Sequence, residues 1–215
     1  GLSNALAGKA KVLYVAGLPT AEDLFSETEF YDASGKTPAN PWTGTQVKVE
    51  TFDNSDFSVK PTVAALSHIN FFRSGEWMPP SPQQHSIRYT AQFMPTKTEN
   101  YLLLAGAEGS DAYKLIVDGK TVIDQTPHEG QAPTWAELPL TAGKAASIEV
   151  DYWPAYGSPH IGLGIRGVEE LVSPEAKKIA SLADAAVVAV GFDRSTESEG
   201  LDRTFALPFG QDPLL

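Results

Sequence analysis

The 215 residues of the chain suffice for one large or two small domains with a real hydrophobic core. Hydrophobic residues make up 42% and charged residues 20% of the chain, a balance typical of a globular rather than a disordered protein. The 27 acidic against 16 basic residues give a formal net charge of -11. This excess argues against nucleic acid and anionic membranes as partners, because both require a basic footprint.

Two further features of the sequence limit the possible class of protein. No apolar run approaches the ~20 residues of a membrane-spanning helix. The chain has no cysteine, which excludes disulfides and thiolate metal sites but leaves the compartment open. A secreted or periplasmic location is favoured over a cytoplasmic one. The chain has no initiator methionine and no signal peptide, so we expect it to be an excerpt from a longer protein.

The first predicted element is a strand at residues 11–16. Its apolar run VLYVA ends at Gly17 and is typical of a strand buried on both faces of a parallel sheet. Five apolar residues alone leave a helical turn open as an alternative. Residues 18–44 are rich in acids, Pro, Gly, Ser and Asn, and we interpret them as a connecting segment that contains a domain boundary.

From about residue 46 to residue 167 the pattern is all-β. Alternating apolar residues predict strands near residues 47–51, 87–93, 148–152 and 161–165, with turn residues between them. The stretch 101–124 is predicted to be a three-stranded meander. Its last two strands are joined at Asp118-Gly119, a pair that tolerates positive φ. Many short strands with this spacing indicate an antiparallel sandwich or barrel.

After Gly167 the periodicity becomes helical. Ser173-Pro174 is a helix start, since a hydroxyl at the N-cap precedes proline at the first helical position. Apolar residues then share one face of the predicted helix: Ala176, Ile179, Ala180 and Ala183. Residues 185–190, AAVVAV, follow as a second apolar run of the buried-strand type.

The two apolar runs indicate how the chain is organised. A helix followed by a buried strand is half of an α/β unit, and the natural partner of residues 185–190 is the run at 11–16. A crossover between parallel strands normally takes ~12 to 30 residues. Here a complete β-domain fills the gap. We therefore predict a mainly β chain, in which an antiparallel β-sandwich is inserted into an α/β-sandwich domain of which two pieces are present.

Three domain segments follow from this prediction. Residues 1–44 would be the N-terminal piece of the α/β domain plus a linker. Residues 45–167 would be the inserted β-sandwich. Residues 168–215 would continue the α/β domain.

The β-region resembles a known module. The strings VKVETFDNSDFSVKP, IRYTAQFMP, NYLLL, DAYKLIVDGKTVID and LTAGK look like the protective-antigen domain, a β-sandwich found inserted in carbohydrate-active enzymes and adhesins. The flank SPEAKKIASLADAAVVAVGFDRSTESEGLDRTFALPFGQD is similar to the α/β-sandwich domain of glycoside hydrolase family 3, the β-glucosidase family. Some members of that family carry the module inserted at such a point.

The resemblance implies a function for the parent protein. It would be a retaining glycosidase that hydrolyses terminal β-linked sugars of a glycoside or oligosaccharide, with the β-domain shaping the pocket rim and limiting substrate length. The catalytic nucleophile of the family lies in an N-terminal barrel domain without counterpart in this chain, so the chain alone is predicted to be inactive. A second class stays open, in which the β-domain is a non-catalytic carbohydrate-binding or structural module. The sugar, the linkage and the oligomeric state stay open as well.

An acidic loop follows the second apolar run. Glu197, Glu199, Asp202 and Arg203 lie beyond the carboxyl end of a predicted strand, where open α/β sheets bind ligands. Composition alone suggests a solvated loop with a local ion pair. The resemblance implies instead that Glu199, directly before glycine in ESEG, is the general acid/base, with Glu197 as second choice. Arg203 is a candidate substrate contact.

Aromatic residues supply further candidates. Trp77 and Phe72 lie in a Pro-bounded loop of the β-domain, where they either pack at the edge of the core or stack on a sugar ring. Trp135 and Trp153 lie in strand-like contexts and are predicted to belong to the core.

No metal or cofactor is predicted. The four histidines are dispersed without ligand spacing, and GLGIRG lacks the third glycine and the strand–helix setting of a dinucleotide site. Calcium-dependent lectin members of the module carry an Asp-Asp pair followed by Gly, where this chain has Ser110, Asp111 and Ala112. One carboxylate ligand is therefore missing, which predicts a domain without structural calcium.

Overall fold

The computed structural model of the chain describes residues 2–32, 46–70, 86–107, 111–126, 133–155 and 160–189. Within these ranges the strands are β1 (Val47–Phe52), β2 (Thr62–Leu66), β3 (Ser86–Phe93), β4 (Glu99–Ala107), β5 (Ala112–Val117), β6 (Lys120–Gln125), β7 (Thr134–Leu140), β8 (Ala146–Trp153) and β9 (Ile161–Gly167). The helices are α1 (Leu2–Ala5), α2 (Ala21–Glu27), the 3-10 helix η1 (Val168–Glu170) and α3 (Pro174–Leu182). None of these helices is long and apolar enough to cross a membrane.

The strands form two antiparallel sheets. One sheet has six strands in the order β2-β1-β3-β8-β5-β6, and the other has three in the order β7-β4-β9. Alternate residues of each strand face the space between the sheets, as a period of two dictates. These residues form one core that includes Tyr89, Val150 and Leu115 from the large sheet and Leu103 and Leu163 from the small one. The structure confirms the predicted fold class, mainly β with antiparallel sheets.

The predicted hairpin at Asp118-Gly119 is present. Asp118 has φ 50° and Gly119 has φ 76°, and Val117 pairs with Lys120 across a two-residue turn. Two residues of positive φ are what a tight hairpin turn between twisted strands requires. The sequence therefore located this turn correctly.

The predicted three-stranded meander is wrong. β5 and β6 pair as expected, but β4 pairs with β7 and β9 in the other sheet. The connection from β4 to β5 thus crosses the sandwich instead of making a hairpin. The apolar residues Leu102 and Leu104 face outward from the small sheet and are nevertheless buried, because a helix covers them.

That helix is α2, which lies in the segment interpreted from composition as a connection. A capping box starts it: the Asp23 amide donates to the Thr20 hydroxyl at 3.1 Å, and the Thr20 amide donates to the Asp23 carboxylate at 2.9 Å. Each interaction satisfies an amide that the first helical turn leaves without a partner. The helix ends near Thr28, whose hydroxyl accepts a hydrogen bond from the Ile165 amide of β9 at 2.8 Å.

The buried face of α2 fits a groove of glycines. Phe25 and Leu24 are fully buried against the outer face of the small sheet. A Cβ at Gly162 would lie 2.3 Å from the Phe25 ring, and a Cβ at Gly164 would lie 2.6 Å from Cβ of Leu24. Only residues without a side chain permit this approach, so the sheet and the helix are matched at these positions.

The helix predicted after residue 173 is present as α3. The Ser173 hydroxyl accepts a hydrogen bond from the Ala176 amide at 3.1 Å, and Pro174 occupies the first turn. Of the predicted apolar face, Ala176 is buried and Ile179 is half-buried. The two other predicted members, Ala180 and Ala183, are exposed.

The two predicted parallel strands are not formed here. Residues 11–16 and the described residues 185–189 have no sheet pairing, and Tyr14 is 90% and Val187 80% exposed. A strand buried on both faces requires neighbouring strands and covering helices. No described part of the chain supplies them, which is why these apolar segments stay in contact with solvent.

Candidate functional site

One end of the sandwich gathers several of the connections between strands. At this end, which we call the loop end, β4 runs into β5, β8 runs into β9, and β1 runs into β2. The positions follow from the antiparallel pairing of β8 with β3 and β5, and of β3 with β1. Loops carried by a rigid sheet are the usual place for binding residues.

A buried carboxylate lies at the loop end. Asp111 is 4% exposed and directly precedes β5. One of its oxygens accepts a hydrogen bond from the Tyr152 hydroxyl at the end of β8. Its other oxygen accepts one from the Ala155 amide at 2.7 Å. The hydroxyl of Tyr152 in turn accepts a hydrogen bond from the His160 amide at 2.8 Å.

The electrostatics of this network fix its proton positions. Burial raises the pKa of Tyr152, and the hydrogen bond to the Asp111 carboxylate raises that pKa further. The phenol therefore remains protonated at ordinary pH. Because the His160 amide can only donate, the phenol oxygen accepts from it and directs its own proton to the carboxylate.

The arrangement is chemically an anchor rather than a metal ligand set. Both oxygens of Asp111 already accept hydrogen bonds, from Tyr152 and Ala155. Among the described residues, no group of three His, Asp or Glu side chains could hold a metal ion. That the domain lacks structural calcium stays a prediction.

The β1–β2 connection forms a second feature of the loop end. Phe57 has φ 59°, a conformation that bulky residues rarely adopt, and its ring lies 5.2 Å from the Phe52 ring and 5.4 Å from the Trp153 ring. The Arg88 guanidinium lies 4.5 Å from the centre of the Phe57 ring. The Trp153 indole donates to the Ser55 carbonyl at 2.8 Å. These contacts hold the strained residue in place.

Neither tryptophan predicted for the core lies there. Trp153 follows the outward-facing Asp151 by two residues, is half-buried and joins the aromatic cluster at the loop end. Trp135 is 47% exposed on the outer face of β7, an edge strand of the small sheet. Their alternation pattern placed both in strands, but it did not show which face each strand buries.

The residues predicted for the site from the sequence all lie outside the described residues. Phe72 and Trp77 belong to residues 71–85, between β2 and β3 in the sequence, and Glu197, Glu199 and Arg203 belong to residues 190–215. Their roles stay predictions. Sequence reasoning identified Asp111 only as one of the positions where lectin members hold calcium. It gave no signal for the partnership with Tyr152, which is 41 residues away and looks like an ordinary inward residue of β8.

Comparison with known proteins places this geometry in a family. A family model described as PA14 domain matches residues 28–175. A curated relative named Probable beta-glucosidase H, from Neosartorya fischeri, is 30% identical over 125 aligned residues. The alignment covers 47% of the chain and 15% of the relative, so the chain corresponds to a small part of that protein.

A solved structure has a similar fold. The crystal structure of a β-glucosidase from Kluyveromyces marxianus superposes with a TM-score of 0.55 at 17% sequence identity. The match covers 99% of the chain and 27% of the yeast protein. Together with the family match and the curated relative, it confirms the resemblance to a protective-antigen-type domain in a β-glucosidase of glycoside hydrolase family 3.

Proposed function

The chain belongs to the PA14 domain family. We propose that it is part of a retaining β-glycosidase that hydrolyses terminal β-linked sugars. Its β-domain shapes the rim of the sugar pocket and limits the length of the substrate. The observation that carries the proposal is the 30% identity to a protein named as a β-glucosidase. Because the chain spans 15% of that relative, the activity belongs to the longer parent protein.

The reaction requires two carboxyl groups about 5 to 5.5 Å apart on either side of the glycosidic bond. We assign the general acid/base to Glu199, with Glu197 as second choice, and the nucleophile to the barrel domain of the parent. Arg203, Phe72 and Trp77 would contact the sugar. The mechanism uses proton transfer and a covalent glycosyl intermediate, and it needs no cofactor.

The exposed apolar flanks support a larger parent domain. Leu13 and Tyr14 on one side, and Val187 and Val188 on the other, are 48 to 90% exposed. Exposed apolar surface of this kind marks an interaction site. We propose that the two segments pair as parallel strands in the α/β domain of the parent, as their sequences predict.

Substitution of Glu199 by Gln in the parent enzyme tests the acid/base assignment. General acid catalysis contributes about 10²–10⁴-fold, and substrates with poor leaving groups depend on it most. Glu199→Gln should therefore slow their hydrolysis far more than that of activated aryl glycosides. Added azide should restore turnover of the activated substrates, because a small anion replaces the water that the base would activate.

Glu197→Gln is the matched control, with a milder expected effect. If Glu197→Gln shows the leaving-group dependence and azide rescue while Glu199→Gln does not, the acid/base is Glu197. If neither variant shows them, the acid/base lies outside this chain.

The second class of function, a non-catalytic carbohydrate-binding or structural module, is separated by a binding measurement. Calorimetric titration of the isolated chain with β-linked oligosaccharides should give no heat of binding if the sugar site needs the barrel domain. Saturable binding by the isolated chain would favour the module instead.

A further inference from the structure

The chain enters and leaves the sandwich at one place. The entry is α2, which follows the apolar run at residues 11–16, and the exit is the end of β9 with η1, which leads to the run at 185–189. We propose that entry and exit form a junction that holds these two flanking segments at a fixed separation and so positions them to pair as strands. This inference rests on the proposed function, in which both segments belong to one α/β domain of the parent.

Apolar side chains from the entry and the exit share one cluster on the outer face of the small sheet. Leu24 of α2 is 1% exposed, and Leu171, directly after η1, is 3% exposed. The buried members of the cluster are Ala21, Leu24 and Phe25 of the entry, Leu171 of the exit, and Leu102 and Leu104 of β4, with Leu18 and Val168 packed against them. Separation of the entry from the exit would return this apolar surface to water, so its burial stabilises the junction.

A buried hydrogen bond joins the end of α2 to β9. β9 is an edge strand of the small sheet, and its Ile165 amide donates to the Thr28 hydroxyl at 2.8 Å. The same hydroxyl donates to the Leu24 carbonyl at 2.7 Å. Thr28 is 3% and Ile165 4% exposed, so loss of this hydroxyl would leave a buried amide without its partner.

The fit of α2 on β9 leaves no space for a further side-chain atom. A Cβ at Gly164 would lie 2.6 Å from the Leu24 Cβ and 3.0 Å from the Leu24 carbonyl carbon. A backbone atom cannot rotate out of the way as a side chain can. We therefore expect Gly164→Ala to displace the helix from the sheet and open the junction.

The junction accounts for a whole domain between two segments that are predicted to pair. Parallel strands need a crossover of a dozen or more residues, usually a helix. With Leu18 and Leu171 held in one cluster, the chain left between the two runs is essentially residues 172–184, which contain α3. The order is then strand, junction, helix and strand, as in an ordinary α/β unit. In this structure the two runs stay exposed, because a pair of strands without neighbouring strands and covering helices is not stable.

A distance between labels on the two flanks tests the junction in the 215-residue chain. The chain has no cysteine, so Ala16→Cys and Lys178→Cys, both at exposed positions, each take one spin label. Double electron–electron resonance should give one narrow distance distribution. Gly164→Ala should make this distribution roughly twice as broad, because the entry is then held only from the bridge between Tyr31 and Gln92 onward.

Two further variants separate loss of the junction from loss of stability. Thr28→Val removes the hydroxyl and nearly keeps the shape of the side chain, so it should broaden the distribution less than Gly164→Ala. Leu115→Ala leaves a cavity in the core between the sheets and should keep the distribution narrow. A broad distribution in the labelled chain without these substitutions, or a narrow one in both junction variants, would overturn the proposal. If Gly164→Ala does not fold, Thr28→Val decides alone.

Pulsed hydrogen exchange during refolding of the parent enzyme tests the pairing of the flanks. The amides of residues 11–16 and 185–189 should exchange freely in the isolated chain and be protected in the parent. Gly164→Ala should delay this protection about threefold, because detached residues 18–29 roughly double the free chain and closure falls as about the −3/2 power of its length. No delay, or the same delay in Leu115→Ala, would overturn the positioning role of the junction.

Both readouts are independent of catalysis. If the parent hydrolyses no β-glycoside while the narrow distance and the protection are found, the junction stands and the proposed glycosidase function is wrong. If the parent is a β-glycosidase but residues 11–16 and 185–189 gain no protection in it, the positioning role is wrong and the proposed activity stands.

Discussion

Among the described residues, three tyrosines are fully buried between the sheets, and their hydroxyls differ in what they contact. The Tyr113 hydroxyl donates to the Ala105 carbonyl at 3.1 Å, and the Tyr152 hydroxyl donates to Asp111. The Tyr89 hydroxyl has no hydrogen-bond partner among the described residues. Burial raises the pKa of Tyr89 as well, so its phenol stays neutral but without a contact for its proton. Burial of the Tyr89 hydroxyl thus costs desolvation free energy without a compensating hydrogen bond. At Tyr113 and Tyr152 a hydrogen bond offsets that cost.

This difference predicts opposite effects of removing the hydroxyls. Tyr89→Phe should leave the free energy of unfolding unchanged or raise it by about 1 kcal/mol, because an unsatisfied buried group is removed. Tyr113→Phe should lower it by about 1 kcal/mol, because a made hydrogen bond is lost. Urea unfolding at pH 7 measures both variants. A loss for Tyr89→Phe as large as that for Tyr113→Phe would show that the Tyr89 hydroxyl has a partner.

At the scale of single residues, the sequence predicted which side chains are buried better than it predicted their hydrogen-bond partners. The period-two alternation of Ile148, Val150 and Tyr152 placed these side chains in the core, where the structure has them. The partner of Tyr152 lies 41 residues away, and no local pattern encodes such a contact. The same limit explains Trp135, since alternation fixes a strand but not the face that its sheet buries.

Among the secondary-structure elements, α2 is one that the amino-acid composition did not predict. The acids, Pro and Gly of residues 18–44 suggested a connection, yet Thr20 and Asp23 form a capping box and the helix packs on the small sheet. Its binding groove is built from Gly162 and Gly164 in β9, more than 130 residues later in the chain. A glycine-rich strand such as GLGIRG indicates a close approach of some other element, but not which one.

The packing of α2 predicts a large effect of truncating its main contact. Phe25→Ala should lower the free energy of unfolding by about 3–5 kcal/mol, the usual cost of removing a buried phenylalanine ring. Glu22→Ala, on the exposed face of the same helix, should change it by less than about 0.5 kcal/mol. Denaturant unfolding of both variants provides the comparison. Equal effects would mean that α2 is not part of the folded unit and would favour a β-domain that begins near residue 45.

The outer face of the large sheet carries a row of charged residues that no local sequence pattern predicts. Residues directly opposite one another across five strands alternate in charge: Glu50, Arg88, Asp151, Lys114 and Asp124. The two N–H groups of Arg88 bind the two oxygens of Asp151 at 2.6 and 2.9 Å. Alternating charges favour this register over a shifted one. Only the strand order, which the sequence did not supply, brings these residues into one row.

At the scale of the whole molecule, the loop end differs from the two apolar flanking segments. The loop end is internally anchored by Asp111, whereas Tyr14 and Val187 leave apolar surface in solvent. The sequence predicted the antiparallel sandwich and the apolar character of both flanks. The sequence also predicted that the two flanking segments pair as strands, and this pairing is not formed among the described residues. Pairing depends on neighbouring strands and covering helices as well as on the segment itself.

The residues at positions 110 and 111 lead to a prediction about the effect of calcium on the stability of the whole chain. Ligand binding to the folded state raises the melting temperature by mass action. Because Ser110 stands where the lectin members hold a carboxylate ligand, millimolar calcium should leave the melting temperature of the chain unchanged, as should a chelator. A rise of several degrees with calcium that the chelator reverses would contradict this expectation. Magnesium at the same concentration controls for ionic strength.

The last prediction concerns the chain as a catalyst on its own. Retaining hydrolysis requires a nucleophile and an acid/base about 5 to 5.5 Å apart, and we place the nucleophile in the barrel domain of the parent. The purified 215-residue chain should therefore not turn over an aryl β-glucoside above the rate in buffer, even though it contains Glu199. The parent enzyme under the same conditions is the positive control. Turnover by the chain that disappears in Glu199→Gln would mean that both carboxylates lie within these residues, and the assignment of the nucleophile to another domain would be wrong.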